Sequence, residues 1–116
     1  MLTGFEKETE SLTKDEVKWA MIIGRTLKGK IGKEKAVKSQ DIIKGMKNSF
    51  NAKISDPRLR KIINFLRTQK IVKWLIATSN GYYIATSREE VLTYIESLKG
   101  REEAIRAVRE SLESEL

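Results

Sequence analysis

Side chains that can read a nucleic acid are concentrated in one stretch near the middle of the chain. The stretch S-D-P-R-L-R-K-I-I-N-F-L-R runs from Ser55 to Arg67 and includes Arg58, Arg60, Lys61 and Asn64. Arginine and lysine donate hydrogen bonds to phosphates or to guanine, and asparagine pairs with the edge of adenine. The same residue types are also common on a solvated helix surface. The elements around this stretch therefore decide between the two interpretations.

The apolar residues of this stretch predict a helix that presents the polar ones. Four of them recur at the i, i+3, i+4, i+7 spacing of a buried stripe: Leu59, Ile62, Ile63 and Leu66. Lys61, Asn64 and Thr68 then face away from the stripe, and the arginines lie on its flanks. Asp56-Pro57 is a start signal, because Asp can cap a helix and Pro tolerates the first helical position. We predict a groove-facing set of Arg58, Arg60, Lys61 and Asn64.

The net charge of +7 is unevenly distributed along the chain. Residues 1–13 carry one basic and three acidic side chains, for a net charge of −2. Residues 14–73 carry 17 basic and five acidic side chains, net +12, and residues 74–116 carry five and eight, net −3. A basic block beside an acidic tail is typical of a polyanion-binding body whose last segment does something else.

Residue types that are absent exclude several function classes. The chain has no cysteine and no histidine, which removes thiol chemistry, disulfides, Cys-type zinc sites and the commonest general base. It also lacks a glycine-rich phosphate loop. We expect no catalytic activity, no metal, no cofactor and no small-molecule substrate. No apolar run approaches the roughly 18 residues of a membrane span, and the start lacks a signal-peptide pattern, so we expect a soluble, cytoplasmic protein.

The first half of the chain predicts two further helices. Residues 1–12 show no period and are expected to form a flexible arm. Thr13-Lys14-Asp15-Glu16 matches a capping box. The helix it begins should bury Val17, Ala20, Met21 and Leu27, with Trp19 and Ile23 widening that face, and it should end near Lys28. Gly24 either weakens this helix or marks close packing against another. Residues 30–38 are predicted to form a basic loop or a short extended piece. Ser39 is predicted to cap a helix over about 40–47, and a turn should follow over 47–53.

A β-hairpin and a long helix are predicted for the remainder. Residues 71–78 are rich in β-branched and aromatic types, Asn80-Gly81 is a hairpin signal, and 82–86 form the return strand. One of Tyr82 and Tyr83 should pack inward and the other be partly exposed, since strand side chains alternate. Both tryptophans are expected in the core or at its edge.

Ser87-Arg88-Glu89-Glu90 is a second capping box, and from there the chain reads as one helix. Its apolar residues resemble an imperfect heptad seam that Arg101 and Glu102 interrupt. The helix could fold back on its own domain or pair with another chain. We predict a homodimer, which would present two recognition helices to a DNA site with two related halves. The dimerisation residues are Val91, Leu98, Ile105, Val108 and Leu112.

The order of these elements resembles that of a winged helix-turn-helix. The segment 54–99, with S-N-G-Y-Y-I-A-T-S-R-E-E-V and Y-I-E-S-L-K-G-R, resembles small winged-helix proteins encoded by bacteriophages and prophages. The predicted elements make a mainly α-helical fold with a small β-hairpin (α+β): a flexible arm over 1–12, a winged-helix domain over 13–86 and a C-terminal helix over 87–116. The resemblance covers roughly residues 13–99 and implies the winged-helix fold for that part. It also implies sequence-selective binding of double-stranded DNA in phage or mobile-element replication or transcription control, in the host cytoplasm. The alternative is a protein-interaction adaptor that works through its C-terminal helix.

The predicted DNA-binding residues extend beyond the third helix to the segments around it. Lys38 ends the basic loop, Lys73 lies at the base of the hairpin and Asn80 lies in its turn. The hairpin tip, 78–81, has no basic residue, which departs from an electrostatic wing. The full predicted set is Ser55, Arg58, Arg60, Lys61, Asn64, Arg67, Lys73, Lys38 and Asn80.

Overall fold

The computed structural model describes residues 11–116. Residues 1–10, which make up most of the predicted arm, lie outside the described range. The described residues divide into two compact units, residues 11–85 and residues 86–116.

Over residues 11–85, the first unit contains three helices and a hairpin. The helices are α1 (Lys14–Leu27), α2 (Ser39–Phe50) and α3 (Asp56–Thr68), with one 3₁₀ turn at Lys33–Lys35 between α1 and α2. The strands β1 (Leu75–Thr78) and β2 (Gly81–Ile84) form an antiparallel pair. The second unit consists of helix α4 (Arg88–Ser114) and its flanking residues. The protein is therefore mainly helical with a two-stranded hairpin, an α+β arrangement that the sequence predicts correctly.

Helix α1 begins at the predicted capping box. The Glu16 amide donates to Thr13 Oγ1 at 3.1 Å, and the Thr13 amide donates to Glu16 Oε1 at 2.9 Å. The buried face was predicted only in part. Ala20 and Leu27 are buried, but Val17 and Met21 are 37% and 45% exposed, so their assignment to the core is wrong. Ile23 is buried, as its predicted place on the widened face requires, and Glu16 and Gly24 also face inward.

Gly24 of α1 lies close against Leu66 of α3. A Cβ at this position would lie 3.0 Å from Leu66 Cδ2 and 3.3 Å from Val72 Cγ2. The absence of a side chain therefore makes room for the fully buried Leu66. Of the two interpretations of Gly24, close helix packing is the correct one.

Helix α2 is longer than predicted. Lys38 occupies the cap position and makes no side-chain capping bond, so the prediction that Ser39 is the cap is wrong by one residue. The helix continues to Phe50 through residues that the sequence suggested were a turn. It stops because Asn51 adopts a left-handed conformation with φ 52°. Polar residues on an exposed helix surface look the same in sequence as a polar turn, which explains the error.

Helix α3 has the predicted buried stripe. Its four apolar residues are at most 1% exposed: Leu59, Ile62, Ile63 and Leu66. Ser55, rather than Asp56, caps the helix and accepts a hydrogen bond from the Arg58 amide at 3.4 Å. At the other end Lys70 has φ 58°, and the Ile71 amide donates to the Leu66 carbonyl at 3.0 Å. These features are those of a Schellman motif, which ends the helix before the hairpin.

The hairpin is shorter than predicted. Residues 71–74 form turns rather than strand, and Trp74, with φ 61°, is 47% exposed. Thr78 pairs with Gly81, so the two loop residues are Ser79 and Asn80, and the Asn-Gly dipeptide is not itself the loop. The prediction for the tyrosine pair is confirmed, because Tyr83 is 3% exposed and Tyr82 is half-buried.

The segment between α1 and α2 covers the outer edge of β2 at two points. Ile31 forms an isolated parallel bridge with Ile84, and Val37 forms an antiparallel one with Tyr82. The 3₁₀ turn lies between these two contacts. The predicted basic loop is thus extended where it meets β2 and helical between.

In the second unit, Ser87 caps α4 by accepting the Glu90 amide at 3.2 Å. The Glu90 carboxylate accepts the Thr86 amide at 2.9 Å, one residue beyond the box position. Every residue from Ile95 to Leu116 is exposed. Over residues 11–116, none of the helices combines the length and the apolar character needed to cross a membrane.

Candidate nucleic-acid interface

The face of α3 opposite the buried stripe is polar and basic. Arg60 and Asn64 are exposed, and Lys61 is half-buried between them and the core. Thr68 Oγ1 donates to the Asn64 carbonyl at 2.8 Å, which directs the Thr68 hydroxyl to the helix backbone. The Asn64 amide side chain is left on the surface, one helical turn from Arg60. This arrangement can donate to phosphates and can make paired hydrogen bonds to a base edge.

Arg58 does not belong to that face. Its Nε donates to Glu16 Oε2 at 2.7 Å, and its Nη2 donates to Glu16 Oε1 at 2.5 Å. Nη2 also donates to the Ser11 carbonyl at 3.0 Å. The Arg58 and Glu16 side chains are only 12% and 9% exposed. The prediction that Arg58 faces a DNA groove is therefore wrong: it joins the start of α3 to the start of α1.

The ion pair also sets the titration of Glu16. The hydrogen bond from Arg58 holds the pKa of the Glu16 carboxyl below its usual value of 4.5. Burial opposes this effect, and the backbone hydrogen bond from Thr13 adds to it. Both partners are therefore charged at neutral pH, and their charges cancel at the α1–α3 contact.

The starts of α2 and α3 are joined by a second polar contact. Gln40 Nε2 lies 3.2 Å from both carboxylate oxygens of Asp56. Asp56 is the one acidic residue of α3. This hydrogen bond joins the acidic end of α3 to the start of α2. The cationic residues of α3 lie further along the helix. Sequence reasoning missed Gln40, since its role depends on a contact between two helices.

A cleft separates the start of α2 from the hairpin. Its lining residues come from both elements: Lys38, Ser39, Gln40, Asp41, Ala77, Thr78, Ser79, Gly81 and Tyr82. The Val37 and Tyr82 backbones exchange hydrogen bonds of 3.0 and 2.8 Å. Gly81, at φ 116°, allows this approach, because a Cβ there would collide with the Val37 carbonyl. The exposed Lys38 and the hairpin residues Ser79 and Gly81 therefore lie on two sides of one cleft, and Asn80 lies in the hairpin loop between the latter two.

The remaining predicted residues do not line this cleft. The Ser55 hydroxyl caps α3, Arg67 is half-buried, and Lys73 is exposed in the turn before β1. The candidate interface consists of the outward face of α3, the start of α2 and the hairpin tip. Its polar residues are Lys38, Gln40, Arg60, Lys61, Asn64 and Asn80.

Comparison with known proteins gives no further constraint. No protein-family model, no curated protein and no solved structure matches this chain.

Proposed function

We propose that this protein binds double-stranded DNA as a winged helix-turn-helix, with α3 as the recognition helix and the β1–β2 hairpin as the wing. The observation that supports this most directly is the two-sided character of α3. One side buries four apolar residues almost completely, and the other carries Arg60, Lys61 and Asn64. Thirteen residues of helix are about 20 Å long, and a helix of this diameter fits a major groove about 12 Å wide.

The connection between α2 and α3 supports the helix-turn-helix interpretation. Five residues, 51–55, separate the two helices. Within them Asn51 ends α2, Ser55 caps α3, and Ala52 and Ile54 are buried. The contact between Gln40 and Asp56 fixes the two helix starts relative to each other. A turn held at both ends keeps the outward face of α3 in one orientation, which base readout requires.

Charge supports a polyanionic partner. When the paired Glu16 and Arg58 are set aside, residues 14–73 still contain 16 basic and four acidic side chains. Lysines and arginines in such excess bind phosphates and release counterions, which gives binding that does not depend on sequence. The tip of the hairpin has no cationic side chain. The contribution of the hairpin to DNA binding would therefore come from the Asn80 amide and from Lys73 at the base of the hairpin. The biological setting we propose is phage or mobile-element replication or transcription control.

A labelled-duplex binding titration tests the proposal. Random duplex DNA should bind at low salt, and repeated selection from a random pool should yield a preferred site. The Arg60→Ala and Lys61→Ala variants should bind less tightly, whereas Arg25→Ala, an exposed arginine on α1, serves as the matched control. Duplex affinity that is undetectable at low salt would contradict the proposal.

A protein-interaction adaptor is the second candidate, and one observation favours it. Val17 and Met21 lie one turn apart on α1 and are 37% and 45% exposed. Neighbouring exposed apolar side chains can form part of a protein-binding surface. Under this alternative, Val17→Asp would abolish partner binding and leave duplex affinity unchanged.

A further inference from the structure

The first turn of α3 carries a carboxylate on the same side of the helix as Arg60 and Asn64. Asp56 is exposed and is the one acidic residue of α3. It lies four residues before Arg60 and eight before Asn64. Residues spaced by four are displaced by only about 40° around a helix axis, so these three side chains lie within about 80° of one another. Asp56 therefore shares the surface that we assign to DNA.

A carboxylate on this surface opposes the binding of a polyanion. The other charged residues of α3 are all cations: Arg58, Arg60, Lys61 and Arg67. An acidic residue in the first turn stabilises a helix through its dipole. That effect requires no partner from a neighbouring helix, so it does not account for the contact that Asp56 makes with α2.

Gln40, in the first turn of α2, restricts the orientation of the Asp56 carboxylate. Its Nε2 lies 3.2 Å from Oδ1 and 3.2 Å from Oδ2, so one amide group bridges the two oxygens. An ionised carboxylate has about four acceptor sites, and the two hydrogens of one amide group can occupy no more than two of them. The Asp56 carboxylate is thus held in place and keeps acceptor sites on an exposed surface.

The edges of the bases in the major groove respond differently to such an acceptor. Cytosine presents its N4 amino group, which donates to aspartate or glutamate. Guanine and thymine present acceptor atoms there, and a carboxylate repels them. A repulsive contact of this kind adds to specificity because it penalises the wrong partners. The loss of general affinity that Asp56 causes is then offset by discrimination at one base pair.

We propose that Asp56 selects a cytosine in the DNA site by accepting a hydrogen bond from its N4 amino group, and that Gln40 positions the carboxylate for this contact. The inference rests on the DNA-binding function proposed above and names a base that the site contains. Residues at the N-terminal end of a recognition helix contact base edges. Asn64 lies about 12 Å further along the helix, so it should read a different base pair.

Competition between duplexes tests the role of Asp56. Sites are first selected from a random pool with the unmodified protein, and each position is then changed to the other three base pairs. One position should prefer cytosine, and Asp56→Ala should reduce that preference at least about fivefold while the preferences at other positions remain. An unmodified protein that binds no duplex would overturn the proposed function and this inference together. Duplex binding whose preferences all survive Asp56→Ala would overturn this inference alone.

The matched control for a carboxylate at a helix start is Asp15→Ala. Asp15 is exposed in the first turn of α1, so its removal alters a helix dipole in the same way. Circular dichroism should show both variants folded at the temperature of the binding assay. The control should keep the cytosine preference. If Asp15→Ala relaxed the same position as Asp56→Ala, the effect would not come from a base contact, and the assignment would be overturned.

The charge of Asp56 has its own measurable effect on random duplex. Asp56→Asn keeps the shape of the side chain and removes the repulsion of nearby phosphates. We expect affinity for random duplex at low salt to rise about two- to threefold, and the gain to shrink as salt screens the charge. Asp15→Asn should leave this affinity unchanged. Unchanged or weaker binding by Asp56→Asn would mean that the carboxylate does not face DNA and would overturn the proposal.

Gln40 is tested as a positioning residue in two backgrounds. Gln40→Ala should reduce the preference for cytosine at the position read by Asp56, by a smaller factor than Asp56→Ala does. In the Asp56→Ala background the same change should have no further effect on base preference, because the two residues act as a unit. If Gln40→Ala relaxed another position and did so in both backgrounds, Gln40 would itself contact DNA, and its positioning role would be overturned.

Discussion

The Glu16 carboxylate of α1 and the Arg58 guanidinium of α3 form a bidentate ion pair, 42 residues apart in sequence. The same carboxylate accepts the Thr13 amide at the first turn of α1. Both side chains are close to fully buried. One acidic residue therefore completes a helix cap and neutralises the arginine that is nearest to the start of α3.

Removing one partner of this pair should lower the free energy of unfolding. Glu16→Gln keeps a side chain that can close the capping box, but leaves the Arg58 charge buried without its counter-charge. We expect a loss of about 3 kcal/mol in urea unfolding, within the range for broken buried pairs. Arg25→Ala, at an exposed arginine of α1, should change stability by less than about 0.5 kcal/mol. Equal losses for both variants would show that the pair has no special role.

The stabilisation by Glu16 should depend on pH in the acidic range. Because folding lowers its pKa below the ordinary value of 4.5, the unfolded chain binds the proton more readily. The stabilisation is therefore fully present above that ordinary value and is lost as pH falls through the lowered pKa of the folded state. The difference in unfolding free energy between the unmodified protein and Glu16→Gln should shrink below pH 4.5. A difference that grows on acidification would contradict this assignment.

Cations on the outward face of α3 should determine the salt dependence of DNA binding. Arg60→Ala and Lys61→Ala should each reduce the slope of log affinity against log salt by about one if each contacts a phosphate. Affinity measured by fluorescence anisotropy at several salt concentrations gives this slope. The Arg25→Ala control should keep the original slope. If Arg60→Ala and Lys61→Ala also keep it, α3 does not contribute the phosphate contacts.

Asn64 should contribute to sequence readout rather than to overall affinity. Its side chain is exposed at the centre of the outward face. On a selected site, Asn64→Ala should lose about 1–3 kcal/mol of binding free energy, with little change on random duplex. Competition between the two duplexes measures the difference directly. Similar losses on both duplexes would indicate a backbone contact.

Gly81 should be required for the position of the hairpin. Gly81→Ala strains a residue at φ 116° and drives its Cβ into the Val37 carbonyl. We expect a loss of more than about 1 kcal/mol of stability. Gly45→Ala in α2, where a Cβ would meet no atom within 4 Å, should instead stabilise by roughly 0.5–1 kcal/mol. Thermal unfolding of the two variants should shift in opposite directions, and a shared direction would refute the steric argument.

The parts of the fold that the sequence predicts correctly are those fixed by local periodicity. The stripe from Leu59 to Leu66 is buried as its spacing requires, and Thr13 and Glu16 form their box because both partners lie within one turn. The errors arise where tertiary contacts decide. Arg58 has the same chemistry as Arg60, and only the approach of α1 assigns it to an ion pair. Likewise, β1 begins at Leu75 because the chain first turns through Lys70 and Trp74 with positive φ.

The outer edge of β2 has a consequence for how copies of this protein can meet. An open strand edge is a template on which another chain can add a strand. Here Ile31 and Val37 already pair with that edge, and the 3₁₀ turn between them projects lysines 33 and 35. A neighbouring molecule would have to displace this segment before it could add to β2. The arrangement therefore acts against strand addition at the outer edge of β2.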